Sequence, residues 1–136
     1  MKILKGLVIL LGTLSLNSCD IFKNEQSELL VLQGTWDWER SSGGIGGWEI
    51  SSDSVDYEIT LIIKGSNVSW FHNNELDHEY EIKKSKDTEL GFLLSPKFQV
   101  NDQYIISKQI LRINVNELII ADNCTDCYSY TFRRLD

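Results

Sequence analysis

An all-β domain of about eight short antiparallel strands is the fold class this sequence predicts, and three observations predict it. Polar and apolar residues alternate with period two over several short runs, turn-forming residues separate those runs, and no stretch carries the 3.6-residue period of a long amphipathic helix. Short strands joined by tight turns resolve into an antiparallel sandwich or a closed barrel, and closure removes the exposed edges.

The strands are preceded by a leader. Met1-Lys2-Ile3-Leu4-Lys5 is followed by an apolar run from Gly6 to Leu16 and then by Asn17-Ser18-Cys19. Lysines, a short apolar stretch and a small residue before a cut are the anatomy of a secretory signal, too short to span a bilayer. Leu16-Asn17-Ser18-Cys19 resembles the lipobox of bacterial lipoproteins, in which the cysteine takes a diacylglycerol thioether, is exposed by cleavage and is N-acylated. The alternative is an ordinary signal peptide with an incidental cysteine. The resemblance divides the chain into a signal peptide (1–18), a lipidated cysteine with its tether (19–32) and a barrel domain (33–136). Acyl chains contribute about 0.8 kcal/mol per buried methylene, so two or more hold a soluble domain durably on a membrane.

Cleavage leaves 118 of the 136 residues, enough for one small domain with its own core. Loss of Lys2 and Lys5 takes the formal net charge from −7 to −9, a surface that repels nucleic acid and anionic headgroups. A single proline, four tryptophans and 42% hydrophobic residues exclude a disordered mature chain.

Asp20 to Ser27 is polar and reads as tether, and Glu28 to Gln33 allows one helical turn at most. Thr35-Trp36-Asp37-Trp38-Glu39-Arg40 alternates polar with aromatic and is the first strand; Tyr57 to Ile63 is the second. Val68 to His72 and Leu76 to Ile82 flank Asn73-Asn74 and form a hairpin. Its register is open. A two-residue turn at Asn73-Asn74 places Phe71 opposite Leu76 and leaves Trp70 outside, whereas a three-residue loop through Glu75 places Trp70 opposite His78 inside the barrel. Glu89 to Leu94, a segment within Gln103 to Ile113, Glu117 to Asp122 and Tyr128 to Arg134 complete the count.

The two ends of the domain favour a barrel. Gly34-Thr35-Trp36 opens the first strand and the loop Ser41-Ser42-Gly43-Gly44-Ile45-Gly46-Gly47 follows it; the chain closes on Asp122-Asn123-Cys124-Thr125-Asp126-Cys127-Tyr128-Ser129-Tyr130-Thr131-Phe132-Arg133-Arg134. This pattern resembles the lipocalin-like lipoproteins of outer-membrane bacteria, with Gly-x-Trp in the first strand and Tyr-x-Tyr-x-Phe/Tyr-x-Arg in the last. It departs at Cys127, where glycine is expected at the turn. The resemblance implies an antiparallel up-and-down barrel. The last strand must pair with the first to close it, so Gly34, Trp36 and Arg134 are expected to form a structural latch, with a cation–π stack of about 0.5–2 kcal/mol. Arg134 shares a strand face with Tyr128, Tyr130 and Phe132, and Arg133 faces the other way.

Few motifs point to chemistry. The Gly43 to Gly47 cluster lacks Gly-Lys-Ser/Thr and a following helix, so it reads as a flexible loop over the barrel mouth and not as a phosphate cradle. Asp77, Glu79 and Glu81 lie on one strand face as a solvated outer surface, and Ser51 to Asp56 lacks the spacing of a calcium loop. Cys124 and Cys127 leave the reducing cytosol with the signal. A disulfide across the last hairpin, free thiols and a metal site are the alternatives, and zinc would need two further ligands where His72 and His78 are the only histidines. His78 alternates with Leu76, Tyr80 and Ile82 and reads as a core histidine bonded to a backbone carbonyl or a tyrosine hydroxyl, or as a polar contact in a ligand pocket.

The expected function is that of a non-enzymatic, lipid-anchored cell-envelope protein, placed in the outer membrane by the resemblance, with no cofactor, metal or nucleic-acid partner. It would bind a small apolar or amphipathic molecule at the barrel mouth, with Trp48, Tyr57, Trp70 and His78 as contacts. The alternative is a filled barrel that docks on an envelope protein or glycan. A lumen crowded by Trp36, Trp38, Tyr57, Tyr80 and Phe92 leaves little room for a ligand, which favours a cleft at the mouth over a deep cavity.

Overall fold

The structure is a computed structural model and describes residues 28–98 and 106–136, so the signal segment, Cys19 and residues 20–27 of the tether lie outside the described residues. Residues 28–32 are helical. Nine strands follow: β1 (Gly34–Gly43), β2 (Trp48–Ser51), β3 (Ile59–Lys64), β4 (Asn67–His72), β5 (Glu75–Lys84), β6 (Phe92–Phe98), β7 (Lys108–Ile113), β8 (Glu117–Asp122) and β9 (Tyr128–Arg134). Each of β3 to β9 pairs antiparallel with its neighbour in sequence, and β1 pairs with β3 on one edge and β9 on the other. The result is a closed, eight-stranded, lipocalin-like up-and-down barrel with β2 as an additional strand.

That additional strand, Trp48–Ser51, is one that the strand periodicity does not predict. Register explains it: Asp37 pairs with Thr60 and Arg40 with Ser51, so β2 and β3 run along the same edge of β1. Between those pairs β1 advances three residues and the returning chain nine. The six extra residues leave the sheet through the 3-10 turn Ser52–Ser54, and a four-residue strand is too short to show a period. β6 begins and ends later than Glu89 to Leu94. Ser85 N–H donates to the Gly91 carbonyl and Gly91 N–H to that of Thr88, which holds residues 85–91 as a turn; Pro96 lies at the bulge between Glu79 and Tyr80, where a proline is tolerated.

Alternation fills the interior. Trp36, Trp38, Leu61, Trp70, Tyr80, Leu94, Ile120 and Phe132 are all buried, and Leu32 of the helical turn is buried beneath them. The turns after β3, β5 and β7 share one end of the barrel with the helix, and the β1–β2, β4–β5 and β8–β9 turns share the other. The helix closes the first end. The second is the mouth.

Candidate functional site

The closed end is organised by Arg134. Antiparallel pairing sets Trp36 opposite Arg134, and the guanidinium lies 4.1 Å from the centre of the indole. The same side chain donates Nε to the Val115 carbonyl at 2.6 Å, Nη1 to that of Gln33 at 2.5 Å and Nη2 to that of Val31. The indole Nε1 donates to the Leu32 carbonyl at 2.9 Å. Arginine and tryptophan therefore tie the helix to the barrel by bonding carbonyls at its C-terminal end, an arrangement that the helix dipole favours. Gly34 is required by space as well as by its φ of 123°, because a Cβ there would stand 2.9 Å from Arg134 Nη1.

The β4–β5 hairpin resolves the register by combining both alternatives. Asn73 and Asn74 form a two-residue turn with φ of 51° and 64°, and Phe71 pairs with Leu76; a bulge then passes Asp77 so that Trp70 pairs with His78. Trp70 is buried in the lumen, while Leu76 is exposed at the top of β5 beside His72 and Glu75. His78 is half-buried, with Nδ1 2.6 Å from the Asp77 carbonyl, which accepts its hydrogen.

A charged cluster that the sequence reading missed lies in the lumen below the mouth. Lys108, the first residue of β7, is buried and paired with Asp122, the last of β8. Its ammonium also lies 4.7 Å from the ring centre of Tyr130, 5.3 Å from Trp70 and 6.0 Å from Tyr80. The Tyr130 hydroxyl donates to the other Asp122 oxygen at 3.4 Å. Burial, and then the Asp122 charge, push the Tyr80 and Tyr130 phenols well above their usual range, so both remain neutral donors. The Tyr80 hydroxyl is buried and has no partner among the described residues. Sequence did carry a signal for this cluster: Lys108 is in phase with inward Ile110, and Asp122 with inward Leu118 and Ile120.

Trp48 and Tyr57 are not brought together. Tyr57 stacks between Trp38 and His72, with ring centres 5.7 and 5.1 Å apart. Trp48 stands at the start of β2, 69% exposed, and Ile45 at the hairpin tip is 97% exposed. The tip of the glycine loop is exposed to solvent, and Gly43 lies against the backbone of Cys127 and Tyr128 at the rim. Clefts of about 410 and 540 Å³ lie outside the lumen: one is lined by Asp37, Glu39 and Arg133 beneath the 51–53 excursion, the other by Glu28 and residues 84–92 at the closed end. In the first, burial and the nearby Glu58 and Glu39 raise the Asp37 carboxyl, with Arg133 opposing.

Cys124 and Cys127 form a disulfide in the β8–β9 turn. The left-handed residue of that turn is Asp126, φ 57°, so the glycine expected at Cys127 is not needed there. An Asp122 oxygen and the two sulfurs lie within 4.8 Å of one another, but the disulfide holds no thiolate and Asp122 is engaged by Lys108 and Tyr130. Because the closed loop is tiny, replacing both cysteines with serine is expected to cost about 2 kcal/mol or less and to leave a folded barrel. Urea unfolding of the double variant measures the cost. Two titratable thiols on folded wild type kept from reductants would refute the bond.

The fold and its arginine-latched closed end define the class: a small lipocalin-like barrel with a plugged base and a charged cluster in its lumen. Compared with known proteins, the chain matches no family model, no curated sequence and no solved structure, so its function is argued from its own geometry.

Proposed function

We propose that the protein is a lipid-anchored cell-envelope lipoprotein whose filled barrel is a rigid stand, docking on an envelope protein or glycan through the rim of its open end. One observation carries this reading: Ser41 to Trp48 is an uncharged segment on an acidic domain, and it holds Ile45 and Trp48 out in water. Exposed aromatic and aliphatic side chains on a projecting hairpin, with half-exposed Tyr128 beside them, suit the anchor of a binding surface. A photo-reactive residue placed at position 45 in intact cells is expected to give one discrete adduct that Trp48→Ser abolishes, while the same probe at Glu81 on the outer wall gives none. Ile45→Ser and Trp48→Ser should leave the unfolding midpoint unchanged. Identical adducts from both surfaces, or none from the tip, would sink the proposal.

A second reading, a small amphipathic ligand at the mouth, is favoured by the Tyr80 hydroxyl, which has no partner among the described residues and whose ring lies beside Lys108. Native mass spectrometry of the detergent-extracted protein would then find a bound small molecule that Tyr80→Phe depletes.

A further inference from the structure

We infer that the closed end of the barrel is the face that lies on the bilayer, with Leu30, Leu90, Val115 and Leu135 as its lipid contacts; this rests on the reading of Cys19 as the lipidated residue. The ends of a soluble barrel are normally finished by polar turns. Here four separate segments each bring an exposed aliphatic residue to the same end. Leu30 lies on the helical turn two residues from buried Leu32, hence on its opposite side, and is 70% exposed. Val115, 68% exposed, sits in the turn after β7, and Arg134 binds its carbonyl together with those of Val31 and Gln33. Leu135, 61% exposed, follows β9 and is fixed by its N–H to the Thr35 carbonyl at 3.0 Å. Leu90, from the turn after β5, shares a cleft with Glu28. The Arg134 latch therefore holds the segments of Leu30, Val115 and Leu135 together as well as closing the barrel.

Two further observations select a membrane as the occupant. The described chain begins at this end, and eight residues separate Cys19 from Glu28, which reach about 30 Å at full extension. The opposite rim lies another ~30 Å away along the ten residues of β1, at about 3.3 Å per residue. The tether thus delivers the closed end to the bilayer. Charge agrees with this: Lys64, Lys84, Lys86 and Arg134 offset Glu28, Asp87, Glu89 and Asp136 here, so an acidic domain meets the headgroups at a nearly neutral end. The Lys86 stem, in the cleft with Leu90, can lie along apolar surface while its ammonium reaches phosphate. In this orientation the mouth and the Ile45–Trp48 tip face away from the anchoring membrane.

The test uses the full acylated lipoprotein in vesicles of phosphatidylethanolamine and phosphatidylglycerol. An environment-sensitive nitrobenzoxadiazole dye is attached to a cysteine introduced at Leu30, Val115 or Leu135, and at Ile45 or Glu81 as controls. Blue-shifted emission, quenched by nitroxide-bearing lipids, is expected at the three closed-end positions, with water-like emission at the controls. Water-like emission at all three in protein that floats with the vesicles overturns the inference. So does a shielded dye that lipid nitroxides fail to quench, which would assign the ring to protein contacts. Mass spectrometry of the N-terminal peptide reports acylation separately: protein without acyl chains that does not float refutes the anchor reading, and the inference with it.

Discussion

Trp36→Ala is expected to lower unfolding free energy by about 3–5 kcal/mol, a large part of the stability of a domain this small. The indole is fully buried where β1 meets β9, and it carries two interactions besides its volume: the Nε1 bond to Leu32 and the Arg134 guanidinium over its face. Arg134→Ala should cost about 2–4 kcal/mol, because it removes the stack and leaves the carbonyls of Val31, Gln33 and Val115 without their charged donor. Arg134→Lys should recover little of that loss. An ammonium cannot face an indole and three divergent carbonyls at once. The two residues share one contact, so the double alanine variant should be less unstable than the sum of the singles. Arg133 points outward to Glu39, and its alanine variant should fall within about 0.5 kcal/mol of wild type. Urea unfolding of these variants is the measurement. Strict additivity, or Arg133→Ala more damaging than Arg134→Ala, would place the latch elsewhere.

Strand alternation made the wall of the barrel legible. Trp36 and Trp38 in β1, and Tyr130 and Phe132 in β9, announce their inward faces two residues apart, and the same count assigns Arg134 to the Trp36 side. What escaped were departures from period two. The bulge at Asp77 adds one residue to β5, so a two-residue turn and an inward Trp70 looked mutually exclusive although both occur. β2 escaped because the excursion through Ser52–Ser54 splits the partner of one edge of β1 into two pieces, and the four-residue piece is too short to show a period. The lumen cluster was hidden by residue type. Lys108 and Asp122 look like surface residues singly, and become a pair only when the β7–β8 register is known, across a bulge that follows Ile110.

That pair should dominate the energetics of the mouth. Lys108→Met is expected to destabilise by about 3–5 kcal/mol, since it strands the Asp122 carboxylate in the barrel with the Tyr130 hydroxyl as its remaining side-chain donor among the described residues. Asp122→Leu should be comparable, or somewhat milder because the rings of Tyr130, Trp70 and Tyr80 still face the ammonium. Removing both charges together is a different matter. The double variant Lys108→Met/Asp122→Leu avoids an uncompensated buried ion and exchanges the desolvation cost of two charges for apolar packing, so it should be more stable than either single variant. Tyr80→Phe deletes a hydroxyl with no partner among the described residues and should be neutral or slightly stabilising. Because the pair is buried, these effects should persist in high salt, whereas loss of a surface pair such as Arg112–Glu117 should fade. Urea midpoints at low and high salt decide the matter. Single variants within about 1 kcal/mol of wild type would mean that the ammonium and carboxylate reach water, so that the mouth is wet and open instead of sealed by its own charges.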